Sequence, residues 1–431
     1  MTQMQQQMQK MQQRIEAQDA QISQLRAQTD QNWLNEKRAA EVKNLVKEVL
    51  ADADTRASLL ESSMTGGHNG KNFFLASEDG SFSLNLNGVI QMRYVANTIN
   101  GSSNEDEDVQ GFDMRRLELS FSGQVVSPKM KYYIQFASSR DGNSTTLQGA
   151  YISYKLSDKL EVTGGRIKAP LLREEIVSSN MQLCMERSLV NAVFTGAYAE
   201  GIQLAYTTDQ IKLSAMINDG LNSGTSASDD YDIADVDYAV TGRVDYIVNG
   251  KWSQFKDFNA WDGEDMGLLL GAAVHYQAGE SGVNGTDQND GTLEWTVDGY
   301  FENKGLSFYS AFIGRNTTDG KAATSGSTED YGFLAQAGYF VIPNKLQPYV
   351  RYEWLRMDES KAVNELGLIT VGANYYFNKD RCRFSLDMIY AMDPVVADNT
   401  NGVSMSGIGL VNDAAGEDGQ MAFRAEFQLK F

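Results

Sequence analysis

From Phe82 to its last residue the chain alternates apolar and polar side chains with a period of two, and this sustained alternation limits its fold more than any other feature. The final segment is the cleanest. Met421, Phe423, Ala425, Phe427, Leu429 and Phe431 form one apolar face, against Ala422, Arg424, Glu426, Gln428 and Lys430 on the other. Phe82 to Tyr94, Leu117 to Val125, Met266 to Tyr276 and Phe384 to Tyr390 repeat the pattern. About sixteen such segments start near residues 82, 112, 130, 146, 160, 198, 210, 236, 265, 292, 305, 330, 346, 366, 381 and 420. Tight connections such as Ser127-Pro128-Lys129 and Asn378-Lys379-Asp380 alternate with loops as long as 169–197 and 392–419. One connection, 249–264, is long where a short one is expected.

Segments of about ten residues, an even count and short turns on one side predict an all-β transmembrane barrel of about sixteen antiparallel strands. A soluble β-sandwich also alternates, but it hides its apolar face in a core and needs no long/short loop rhythm. In lipid, a closed sheet is the β solution that leaves no unpaired edge. At about sixteen strands the wall is too wide for side chains alone to fill, which leaves an aqueous channel. The function expected is passive diffusion of small hydrophilic solutes. Tyr154, Tyr206, Tyr246, Phe301 and Phe377 near one set of strand ends, and Tyr94, Tyr276 and Trp354 near the other, suit two interfacial girdles.

Composition excludes the main competitors. Mean hydropathy is −0.39, and the longest apolar stretch, Met266-Gly-Leu-Leu-Leu-Gly-Ala-Ala-Val274, is far short of the roughly 20 residues a membrane helix needs. A net charge of −20 argues against nucleic acid, whose phosphates call for basic patches. Two cysteines, Cys184 and Cys382, make no disulfide framework. Two histidines, His68 and His275, give no basis for a metal site or a histidine-dependent enzyme. No catalytic residue, metal or cofactor is expected. No secretory signal is visible at Met1, so a signal either was removed before this numbering or never existed.

Residues 1–64 contain no Pro or Gly. Met4, Met8, Met11, Ile15, Gln18, Ile22 and Leu25 follow alternating spacings of four and three, the seam of a coiled coil with one polar residue in it. A second helical segment, Glu41 to Leu60, carries Val42, Leu45, Val46 and Val49. The expected organisation is therefore a helical, coiled-coil segment over 1–64 on the periplasmic side, a Gly-rich linker over 65–81, and a barrel over 82–431.

The acidity concentrates in the long loops, led by Glu105-Asp106-Glu107-Asp108, Asp229-Asp230-Tyr231-Asp232 and the stretch from Asp393 to Asp418. On the wall, alternation points Arg116, Lys131, Lys212, Arg243, Arg351, Arg383, Arg424 and Lys430 to the lumen, with Glu118, Asp245, Glu294, Asp298, Glu353, Asp387 and Glu426. Pairs two apart on one strand, such as Arg243/Asp245 and Arg351/Glu353, read as salt bridges across the wall. Rings of one sign are also how pores choose ions.

The stretch Gly164-Gly-Arg-Ile-Lys-Ala-Pro170, continuing through Leu171-Leu-Arg-Glu-Glu175 to Met185-Glu-Arg-Ser188, resembles the phosphate-selective porins O and P. Lys168, Pro170, Glu174, Ser178, Ser179, Glu186 and Arg187 occur in that family's order. The pair Arg115-Arg116 and the run from Gly338 through Pro343, Lys345 and Leu346 to Arg351-Tyr352 are similar too. The resemblance covers about residues 80–431. It implies a homotrimeric, sixteen-stranded porin of the bacterial outer membrane, in contact with lipid, with loop 169–197 folded inward, that passes small solutes or inorganic anions such as phosphate. Lys168, Arg173 and Arg187 become candidate anion contacts at the constriction, with Arg116, Lys131, Lys212, Arg243, Arg351, Arg383 and Arg424 along the pore. The same loop also carries Glu174, Glu175 and Glu186, which weighs against a strongly cationic constriction. A structural alternative is that residues 1–64 tether the outer membrane to the cell wall.

Overall fold

The computed structural model describes residues 2–33, 41, 43–48, 64–70, 72–98, 109–138, 142–196, 198–221, 236–279, 289–319, 327–412 and 419–431. The chain divides into two compact units, Met1–Met64 and Thr65–Phe431. The first contains helix α1 (Thr2–Trp33), a run of strong helix formers with no Gly or Pro to interrupt it. All the apolar seam positions, Met4 to Leu25, are exposed on it. The second helical segment is helical at 41 and 43–48, while Val42 and Val49 to Leu60 lie outside the described residues.

The second unit is a sheet of eighteen strands among the described residues. Two short strands come first, β1 (Met64–His68) and β2 (Phe73–Ser77). The next eight are β3 (Ser83–Thr98), β4 (Val109–Val125), β5 (Ser127–Ser138), β6 (Thr145–Lys155), β7 (Leu160–Ile167), β8 (Ala199–Thr207), β9 (Ile211–Asn218) and β10 (Val236–Asn249). The last eight are β11 (Gly267–Gly279), β12 (Asn289–Asn303), β13 (Leu306–Asp319), β14 (Thr328–Tyr339), β15 (Leu346–Arg356), β16 (Glu365–Asn378), β17 (Cys382–Ala391) and β18 (Met421–Lys430). Strands β3 to β18 pair in sequence order, and β18 pairs with β3, which closes a sixteen-stranded antiparallel barrel. Each begins within three residues of the position read from the alternation.

Residues 65–81, expected as a linker, contain most of β1 and all of β2. Strand β18 ends at Lys430, and Phe431 and Gly88 exchange backbone hydrogen bonds of 2.9 and 3.0 Å. That leaves the edge of β3 below Gly88 without a barrel partner. Strand β2 takes that edge, with Phe73 opposite Leu86 and Ala76 opposite Ser83, and so prevents an exposed row of backbone donors and acceptors.

The outer face is the apolar one. Phe423, Phe427 and Leu429 are exposed while Arg424, Glu426 and Gln428 are buried. The girdle residues Tyr154, Tyr206, Tyr246 and Phe377 are exposed as well. Turns at one end are tight: Lys304 and Gly305 both have positive φ, 46° and 87°, the two-residue turn whose twist suits a hairpin.

The interior departs from an evenly wet tube. The described residues of loop 168–198 fold inside, and so do those of the loop between β17 and β18. Leu171, Leu183, Leu189, Val190 and Phe194 from the first, with Val395, Met405 and Leu410 from the second, form a continuous buried core with the wall residues Leu269, Ile313, Leu334, Leu355 and Ile389. The unexpectedly long connection 250–266 also turns inward, burying Phe255, Phe258 and Trp261. Asn259 of that connection lies 3.4 Å from Asp380 and accepts from the Tyr376 hydroxyl at 3.1 Å. A sixteen-stranded wall cannot fill itself with its own side chains, and here three inward segments supply the missing volume over much of the lumen.

Candidate functional site

Among the described residues a cavity lies off-centre, along β3 to β8. Its volume of about 1030 Å³ runs from Ser83, Gln124 and Glu161 near the tight-turn end to Ser138 and Thr146 near the long-loop end. One side is barrel wall. The other is loop 168–198, represented by Lys168, Glu175, Ile176, Ser178, Ser179 and Arg187.

That loop has no strand neighbours, so its buried carbonyl groups need donors from elsewhere. The wall supplies them as arginines. Arg243 donates from Nη1 to the Leu171 carbonyl at 2.8 Å, Arg383 to that of Gln182 at 2.7 Å, and Arg351 to that of Glu186 at 2.7 Å. The second inward loop is held the same way: Arg424 reaches the Ile408 carbonyl at 2.7 Å and Arg93 that of Gly407 at 2.7 Å. A guanidinium carries five donors and can hold a carbonyl and a carboxylate together. Arg243 does so with Asp298 at 2.8 Å, and Arg424 with Asp387 at 2.6 Å. Of the pairs expected two apart on a strand, Arg243/Asp245 and Arg351/Glu353 close at 2.6 and 2.7 Å, and Arg116/Glu118 approach at 3.9 Å. Arg424 instead takes Asp387 on the neighbouring strand.

The candidates read from the sequence therefore separate. Lys168, Arg187, Arg116 and Lys131 line the cavity. Arg243, Arg351, Arg383 and Arg424 face the lumen, but they are buried in contacts with the inward loops. Arg173 is buried on the far side of its loop: its guanidinium donates to the Phe255 carbonyl and stands 6.0 Å from the ring centres of Phe255 and Tyr300. Lys212 lies on the lumenal face of β9, paired in register with Asp245.

The Glu186 charge cluster is built by an irregularity. Opposite Gln91 and Met92 of β3 stand Arg116 and Met114, so Arg115 is an extra residue on β4. Such a bulge re-aims the chain and lets two consecutive arginines point inward. Both reach Glu186: Arg116 binds it through Nη1 at 2.9 Å and Nη2 at 2.7 Å, and Arg115 through Nε at 2.5 Å. Burial would raise the Glu186 pKa, but Arg115, Arg116 and Arg93 outweigh it and hold the carboxyl well below its usual range. Beside this cluster, Glu175 receives Lys168 at 3.1 Å and Arg187 at 3.4 Å. Burial, reinforced by Arg187, pushes the Lys168 ammonium down to about 8 despite Glu175. Sequence reading missed Arg115 and Arg93 as site residues. Two adjacent arginines in a strictly alternating strand were the available sign of the bulge.

A family model described as "Phosphate-selective porin O and P" matches residues 85–406. The chain belongs to this family. The porin also shares its fold with several solved outer-membrane channels at low sequence identity. The anion-selective porin from Comamonas acidovorans superposes with a TM-score of 0.56 at 13% identity, over 81% of this chain and all of its own. The outer membrane channel DcaP of Acinetobacter baumannii gives 0.52 at 11%, over 82% and 99%, and OmpT of Vibrio cholerae 0.51 at 10%, over 81% and 98%. An uncharacterized protein of Aquifex aeolicus is 24% identical over 318 residues, 68% of this chain and 69% of its own length. The porin is an outer-membrane channel for passive diffusion.

Proposed function

We propose that the off-centre cavity is the conducting path, and that it passes small hydrophilic solutes with a weak preference for anions. The observation that carries this reading is the charge balance at the Glu186 cluster. Arg115, Arg116, Lys131, Lys168 and Arg187 line the cavity against Glu118, Glu161 and Glu175, and Glu186 sits directly behind the arginines. Most of these cations are already engaged by carboxylates, so the field favours anions without offering a strong oxoanion site. Reversal potential across a planar bilayer in a salt gradient tests this. A small anion preference with little effect of added phosphate is expected. Strong block by phosphate would reassign the cluster as a dedicated phosphate site, and cation preference would overturn the reading.

The exposed apolar seam of α1 supports a second element. In water the side chains from Met4 to Leu25 call for a partner helix, and the partner we propose is the same helix in other copies of the chain. OmpT of Vibrio cholerae has been solved in a trimer form, and a trimer is the assembly proposed here. The barrel's first strand starts at the tight-turn end, which is periplasmic in bacterial barrels, so the coil would stand on that side. Attachment of residues 1–64 to the cell wall is an additional role that a coil in that position would permit.

A further inference from the structure

We infer that the cavity carries a binding site for an uncharged, polyhydroxylated ring solute, a mono- or disaccharide, on the tyrosine-lined wall beside Lys168, whose Nζ stands 5.7 Å from the Tyr198 ring centre. This rests on the cavity being the conducting path, and it names a solute class for it. Tyr133 and Tyr151 stand side by side on β5 and β6 with ring centres 5.1 Å apart and planes 22° from parallel. Tyr198, at the end of the inward loop, joins them. All three line the cavity and are half-buried.

The platform is specifically accommodated. A Cβ on Gly149 would stand 3.0 Å from Cε1 of Tyr198 and 3.7 Å from Cε1 of Tyr133, so the absence of a side chain there lets the two rings close over the strand. A bulge at Gln148 breaks the β5–β6 register beside it and brings an extra amide to the lumen. Gln135 links the group: its amide donates to Glu118 at 2.9 Å and to Gln148 at 3.1 Å, and its oxygen accepts from the hydroxyls of Tyr133 at 2.7 Å and Tyr198 at 3.3 Å.

A pyranose ring offers a flat face of C–H groups and a rim of hydroxyls. The first needs an aromatic surface; the second needs fixed neutral donors and acceptors that lose little entropy on binding. Tyrosine rings with an amide network provide both within one cavity wall. The nearby cations are unsuited to compete, since Lys168 and Arg187 share Glu175 while Arg115 and Arg116 share Glu186. The cavity volume is at the upper end of the range, about 300–1,000 Å³, typical of small-molecule sites.

Two measurements on the detergent-purified, full-length protein test the site: calorimetric titration with maltose, and block of ion current by maltose in a bilayer. Maltose is expected to bind and to reduce the current. Tyr151→Ala should weaken both about tenfold, the equivalent of losing an aromatic contact, while Tyr151→Phe, which keeps the ring, stays within about twofold of the original. A polyethylene glycol of similar size, which has no rigid C–H face, should show no dependence on Tyr151. If Tyr151→Ala does not assemble, Gln148→Ala, which removes the amide of the bulge, takes its place, with an expected loss of about threefold. Conductance without any heat of maltose binding overturns the site, as does maltose block that is identical in the variants. Binding of maltose by a protein that conducts nothing would instead overturn the channel reading and leave the site standing.

Discussion

Arg116 holds Glu186 with two parallel hydrogen bonds, Nη1 to Oε1 at 2.9 Å and Nη2 to Oε2 at 2.7 Å. This fork ties the wall at β4 to the tip of the inward loop, next to the Arg351 contact on the Glu186 carbonyl. The loop at Glu186 is therefore fixed from two wall strands, β4 and β15, that stand five strands apart around the barrel.

Replacing Arg116 with alanine leaves Glu186 buried with one of its forks gone. Removing one partner of a buried ion pair costs about 3–5 kcal/mol, and the remaining Arg115 and Arg93 place this case near the lower end. We expect a loosened loop, larger and noisier single-channel conductance, and a lower unfolding temperature in detergent. Unchanged conductance would show that Glu186 does not position the constriction.

Lys168 links pH to selectivity. Its ammonium is pushed down to about 8, so raising the pH from 7 to 9 removes a positive charge from the cavity wall. The reversal potential should move toward cations across that window. In Lys168→Met the shift should be absent, and anion preference should already be reduced at pH 7.

The inward connection 250–266 should loosen as pH rises. Burial pushes the Asp380 carboxyl up to about 6, against Arg383, Lys430 and Lys379. Burial and the Asp380 charge drive Asp257 well above its usual range. A carboxyl whose folded pKa exceeds the unfolded value of 3.8 binds its proton more tightly when folded. Its contribution is thus complete below about pH 4 and is lost as pH rises through about 6 and beyond. Protection factors over 252–264, after correction for base-catalysed intrinsic exchange, should be lower at pH 8 than at pH 5, and Asp380→Asn should flatten that difference.

Charge in the α1 seam tests the coil. Ile15→Asp combined with Ile22→Asp places several carboxylates at one helix interface. The mass measured by light scattering should fall or the complex should dissociate on dilution, while bilayer conductance persists. An unchanged mass would locate the association entirely in the barrel.

The barrel was legible because alternation is a local signal that most strands carry, although β7 loses it around Gly164-Gly165. Arg243, Arg351, Arg383 and Arg424 are buried on the inward face of their strands, since parity decides the face of a strand. Their partners were not legible. A backbone carbonyl of Leu171 or Gln182 leaves no mark in the side-chain pattern, so a wall arginine that anchors a loop reads like one that lines a pore. Arg173 was assigned to the constriction by its loop, but helical turn Arg173–Ile176 aims it at Phe255, on a segment whose inward fold only its excess length hinted at. The acidic stretches 105–108 and 229–232, with 413–418, lie outside the described residues.

Because the open path hugs β3 to β8, the wall is answerable to two different masters. Around β11 to β17, an inward side chain is packed like one in a soluble protein's interior, and a change there is felt as lost stability wherever the solute goes. Where β5 to β8 line the cavity, away from the buried Arg116–Glu186 fork, an inward side chain borders open space, and a change there falls first on traffic along the proposed path. Such a barrel could exchange one diet for another by redrafting a single sector of its circumference, while the opposite sector keeps the whole upright.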